Sequence, residues 1–220
     1  MLTIVGERLE LTRAVRLSAR VRGLLAIALV VFCAGLVVSL PAEALGVRIA
    51  GVGLLGQAAW LARYDVARRT VRMGGVTRFM ACALLAGYVW LAVAGVLWTA
   101  YASMVDGPAY DASLHAVFLG FVMSMVFAHA PVIVPAVLRV SLPFHRGFYA
   151  HLALLHASLA LRLLGGDLAG NLAAWQWGGV LNAVAILLFL TVSAFAVLHA
   201  RRAPGGQARR PRIRQGAAHG

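Results

Sequence analysis

Five of the seven histidines fall in one stretch of the second half of the chain: His115, His129, His145, His151 and His156. A neutral imidazole is the commonest protein ligand to metals and a normal axial ligand to haem iron. Spacing decides which of them can share a partner. His115 and His129 are fourteen positions apart. On an uninterrupted α-helix that places them within about 40° of one another around the axis and about 21 Å apart along it. They share a face and cannot share one ion, but each can meet its own partner. His151 and His156 are five positions apart and diverge by about 140°. One of them is then a ligand and the other a contact to loop or headgroup.

Depth supplies the pairing. If the run carrying His115 and His129 enters a membrane near residue 113, His129 lies about 24 Å down. The next apolar run returns from residue 148 and brings His156 about 12 Å in from the other side. A bis-His haem b held by His129 and His156 is therefore the sharp expectation. A copper or non-haem iron site using His129, His151 and His156, with His145 in the nearby loop RVSLPFHRGF, is its variant. Arg48 and Arg162 stand apart from the other arginines and are candidates to hold haem propionates. His115 finds no second histidine at its depth. Its candidate roles are a proton-accepting or capping contact to Asp111, one turn earlier, or a second ligand site with Met as the other axial group. Against all of this stands a plainer reading, in which intramembrane histidines hydrogen-bond between helices or pass protons without any cofactor.

The elements that position these residues follow from composition. Hydrophobic residues make up 62% of the 220 and charged residues 12%, whereas a soluble domain carries roughly 25% charged. Six runs approach the roughly 20 apolar residues that a spanning helix needs: 23–41, 44–62, 79–102, 113–138, 148–164 and 178–199. The sequence predicts an all-α integral membrane bundle of six transmembrane helices spanning 23–200. Segment 1–22, mixed in charge and apolar periodicity, is expected to lie on the membrane surface. The Gly-, Pro- and Arg-rich tail 201–220 is expected to be disordered and drawn to anionic lipid. Segment 165–179, GGDLAGNLAAWQWGG, reads as a loop with a short surface helix.

Every basic residue is an arginine, and the net charge is +13. The arginines sit in short clusters before the first run, after the second, after the fourth and after the sixth. With six spans all four clusters fall on one side, as the positive-inside rule requires. Both termini are thus expected in the cytoplasm and the protein in the cell inner membrane. The same clustering argues against nucleic acid as the partner. An apolar run followed by PAEAL matches the small-residue pattern of signal-peptide cleavage, but the basic region before it is long for such a peptide. Cleavage of 1–44 would not alter the orientation of the rest.

Cys33 and Cys82 lie inside apolar runs and read as small core residues; no CxxC pair, phosphate-binding Gly loop, serine triad or HExxH motif occurs. Gly120, Ser124 and Ala128 recur every four residues and permit close helix approach. Pro131 and Pro135 follow His129 and tend to kink the helix there. The tryptophans, Trp90 and Trp175 among them, read as interface anchors.

DASLHAVFLGFVMSM at 111–125 resembles the second half of the NnrS proteins, multi-spanning haem- and copper-associated membrane proteins of nitric oxide metabolism. SLPFHRGF and the later ALRLLGG are similar to the next loop and helix end in that family. The resemblance covers about 111–195, and Asp111, His115, Gly120, Met125 and His145 match family positions; the family's His-rich first half has no counterpart here. It implies a haem- or copper-binding membrane protein of respiration, electron transfer or nitric oxide handling. Electrons would then come from a quinone or a partner membrane subunit, the loops being too short for a redox domain. The alternative is a non-catalytic membrane subunit, alone or as a homo-oligomer, or a small transporter whose histidines serve packing or proton transfer.

Overall fold

Ser18 starts the bundle. Its hydroxyl accepts the Val21 N–H at 3.4 Å and satisfies one of the free donors of the first turn. The computed structural model describes residues 17–102, 106–138 and 144–202. All regular elements among them are helical: α1 Ala19–Val38, α2 Glu43–Tyr64, the single turn α3 Ala67–Thr70, α4 Gly75–Ala100, α5 Pro108–His115, α6 Met123–Leu138, α7 Phe148–Ala160 and α8 Leu172–Arg202. Two π-helical segments complete the set. Ala116–Val122 joins α5 to α6, and Leu161–Leu168 extends α7. The described residues thus form six helices long and apolar enough to cross a membrane, the fourth being Pro108–Val137 and the fifth Phe148–Leu168. It is an all-α, multi-pass membrane protein.

The expected spans are all present, but their limits move. Span three begins at Gly75 rather than 79, and span four at Pro108 rather than 113. Pro108 comes after Gly107, whose φ of 86° only glycine adopts at ease, and proline is favoured at the first helical position. The expected loop 165–179 is mostly helix. The fifth span continues to Leu168 and the sixth begins at Leu172. Gly170 turns the chain at φ 69° and donates to Gly166 O at 2.9 Å. Asn171 then caps the next helix by accepting from Ala174 N at 3.0 Å. Of the expected surface segment 1–22, residues 1–16 lie outside the described residues, while Ala19–Arg22 already belong to α1. Of the tail 201–220, Arg201 and Arg202 continue α8, and the remainder lies outside the described residues, as does the side chain of His199.

Short connections make neighbouring spans antiparallel. We call the end where α1 begins and α8 finishes the near end, and the other the far end. Lipid removes the hydrophobic drive between helices, so packing depends on close approach of small residues. Gly35 and Gly53 are flush with the neighbouring helix. A Cβ on Gly35 would collide with the Ala50 backbone, and one on Gly53 would lie 2.5 Å from Phe32 N. The Trp60 indole donates to Val21 O at 2.7 Å and locks α1 onto α2. Asp65, buried at the end of α2, accepts from Ala67 N at 2.7 Å and from the Tyr88 hydroxyl at 3.0 Å, which ties the turn to the third span.

Candidate functional site: a buried charge cluster and three imidazoles

The fourth span starts at the far end and the fifth finishes there, so Asp111 and Arg162 reach the same level from opposite directions. Arg162 Nη2 donates to Asp111 Oδ2 at 2.6 Å. His115, one turn on from Asp111, places Nδ1 3.3 Å from Asp111 Oδ1 and 2.8 Å from Asp111 O. Asp167, buried one turn beyond the guanidinium, is within electrostatic reach of Asp111, Arg162 and His115, and its Oδ2 has no hydrogen-bond partner. Trp175 on the sixth span lies under the guanidinium, 4.6 Å from Cζ to ring centroid, and its carbonyl accepts from Nη1 at 3.4 Å. Gly178 makes the room: a Cβ there would lie 2.6 Å from Arg162 Cβ.

One π segment follows directly on His115 and the other carries Arg162 and Asp167. A π turn closes from i to i+5 and is over-represented at functional sites. It also inserts a residue into the helix, and one residue is worth about 100° of rotation. The face shared by His115 and His129 on an uninterrupted α-helix therefore does not carry through Ala116–Val122.

The deeper imidazoles differ in what holds them. His129 Nδ1 lies 2.6 Å from Met125 O. A carbonyl only accepts, so Nδ1 carries the proton and Nε2 the lone pair. His115 Nδ1 reaches Asp111 O in the same way. His156 is the reverse. Trp90 Nε1 lies 2.9 Å from its Nδ1. Indole nitrogen only donates, so His156 accepts at Nδ1, and in the neutral ring the proton sits on Nε2. That proton is buried and unpartnered. His151 is fully buried in a box of rings, with centroids of Phe127, Phe189, Phe148 and Phe79 at 4.8, 5.3, 5.7 and 6.0 Å. Neither of its ring nitrogens has a partner.

The structure thus brings together His115, Arg162 and Asp111. It gives His129 and His156 different partners. Among the described residues, no three His, Cys, Asp or Glu side chains converge as a metal-binding group, so His129, His151, His156 and His145 form no common set. His145 is exposed and accepts from Gly147 N at 3.1 Å. Arg48 is exposed in the first turns of α2. For a His-ligated haem or metal ion, the donor chemistry fits His115 and His129, whose Nε2 lone pairs are oriented by a backbone carbonyl. It does not fit His156 while Trp90 donates to it.

Sequence reasoning missed Trp90, Trp175, Asp167 and Gly178. Trp90 stands in mid-span rather than at an interface, with its ring against Gly120, where a Cβ would clash with it. A usable signal did exist. Asp111 and Asp167, with Asp106, are the acids flanking the fourth and fifth apolar runs on the side of the lone Arg162.

Fold and cluster together define a six-span membrane bundle closed at one end by an ion pair between a buried arginine and a half-buried aspartate. The chain belongs to the family described as Domain of unknown function (DUF8744), whose profile matches residues 1–198. No curated protein and no solved structure matches it.

Proposed function

We propose that the protein moves protons, as a small transporter or membrane subunit of the cytoplasmic membrane, through the cluster of Asp111, His115, Arg162 and Asp167. The arginine clusters orient it with both termini in the cytoplasm, which puts this cluster in the outer half. One observation carries the reading: a single carboxylate, Asp111, is shared by Arg162 at 2.6 Å and His115 at 3.3 Å, beside a second buried carboxyl. A purely structural pin needs one acid and one base. Here Arg162 balances only one carboxylate. The remaining acid and the imidazole are jointly neutral in two proton arrangements, with the proton on Asp167 or on His115. Ionisable groups inside a membrane are costly and mark proton relays. Reconstitution into liposomes with an internal pH dye and an imposed potential tests it. Proton entry is expected to exceed that of empty liposomes and to fall at least severalfold in Asp167→Asn and His115→Gln. Equal rates in the variants and the wild type would overturn it.

A second reading rests on a separate observation, the carbonyl-bonded Nδ1 of His129. By it the protein binds haem b, or copper or iron, through His129, with His115 as a further ligand, in respiration, electron transfer or nitric oxide metabolism. The similarity to NnrS proteins supports this class. Bound haem would supply one-electron chemistry, with a quinone or partner subunit as donor. The purified protein should then show a Soret band that His129→Ala removes and His156→Ala retains. Colourless protein free of copper and iron would leave the first reading alone.

A further inference from the structure

At the near end, on the other side of the bundle from the charge cluster, two cavities share a wall. An apolar groove of about 520 Å³ runs along α1 and α2, lined by Leu24, Ile27, Val31, Val52 and Gly56 and ending at Arg63 and Tyr64. A second cavity of about 340 Å³ begins at the same Arg63 and Tyr64 and is walled by Arg68, Arg69 and Arg72. We infer that this pair of cavities is a binding site for one anionic phospholipid, its acyl chain in the groove and its phosphate among the arginines.

Three features argue for that occupant. The first is charge. Four guanidinium-bearing residues face the upper cavity against one carboxylate, Asp65. Asp65 is held in place by Ala67 N and the Tyr88 hydroxyl and offsets one charge at most, so the cavity keeps a surplus of positive charge. The second is continuity. Arg63 and Tyr64 line both spaces, so a molecule with an anionic head and an apolar tail meets matching chemistry along its length. A solvated positive-inside loop has no need of an apolar extension; basic pockets beside membrane helices are built for lipid head groups. The third is that the groove is made by small residues. Gly56 brings the α1 and α2 backbones close, a Cβ there lying 3.0 Å from that of Ala28. The exposed Ala59 leaves the groove open toward lipid.

The test uses the full chain purified in a neutral detergent. Native mass spectrometry with added dioleoyl phosphatidylglycerol is expected to show one retained lipid, and dioleoyl phosphatidylcholine is expected to compete poorly. Glycerol phosphate, which has the head group and no chains, is expected not to bind. Replacing Arg68, Arg69 and Arg72 by Gln together is expected to weaken phosphatidylglycerol on the order of a hundredfold. Ala59→Phe, which fills the groove and leaves Arg68, Arg69 and Arg72 in place, is expected to release the lipid as well. Equal retention of the two lipids by the wild-type protein would overturn the assignment, as would binding of glycerol phosphate as tight as that of the whole lipid.

Discussion

Asp111 has two claimants, the Arg162 guanidinium at 2.6 Å and the His115 imidazole at 3.3 Å. Removing one partner of such a pair leaves the other charge uncompensated, whereas removing both is often tolerated. Asp111 is about one-third exposed, so solvent screens part of the effect. Asp111→Asn is expected to cost about 1–3 kcal/mol in thermal or denaturant unfolding, and adding Arg162→Met is expected to recover most of it. A second residue-scale consequence lies at Trp90. Trp90→Phe removes the donor that sets the His156 tautomer. The His156 resonances in the nitrogen NMR spectrum of labelled histidine should report the Nε2–H form in the wild type, and the preference should fade in the variant at a cost of about 1–2 kcal/mol. The histidines themselves were legible in the sequence, because ionisable residues in apolar runs stand out. Their partners were not. A hydrogen bond from an indole on span three to an imidazole on span five depends on rotation about two helix axes, which residue spacing does not report.

Six helices were readable from run length alone, since a bilayer sets a minimum length that no other environment imposes. The π segments were not readable. AVFLGFV leaves the apolar pattern unbroken and LRLLGGDL reads as the end of a span, yet both are π-helical, and the first rotates the remainder of its span about the helix axis. The face shared by His115 and His129 was lost for that reason. The far-end loop failed for another: Gly165 and Gly166 read as loop formers, whereas here a Cβ on Gly166 would lie 2.7 Å from Trp175 Cα, so these glycines serve close packing. At this scale Gly178 is the sensitive point. Gly178→Ala must push α8 off Arg162 and is expected to cost about 1–3 kcal/mol. Unlike a distant packing defect, it should also lower the proton-transfer rate of the reconstituted protein.

Across the whole molecule, the fourth, fifth and sixth spans close the far end through one cluster, while the arginines gather at the near end. In the proposed orientation, which the arginine bias favours, the near end lies in the cytoplasm. Cysteine labelling from outside intact cells is accordingly expected at Asp106→Cys and not at Arg69→Cys, in a background lacking Cys33 and Cys82. The central claim is a mobile proton shared in the far-end cluster. It is read most directly from the carboxyl stretch in infrared spectra of the purified protein, because the chain has only seven acidic residues. The account expects a protonated-carboxyl band that titrates, disappears in Asp167→Asn and shifts in His115→Gln. A spectrum with no such band, or one indifferent to both substitutions, would contradict it.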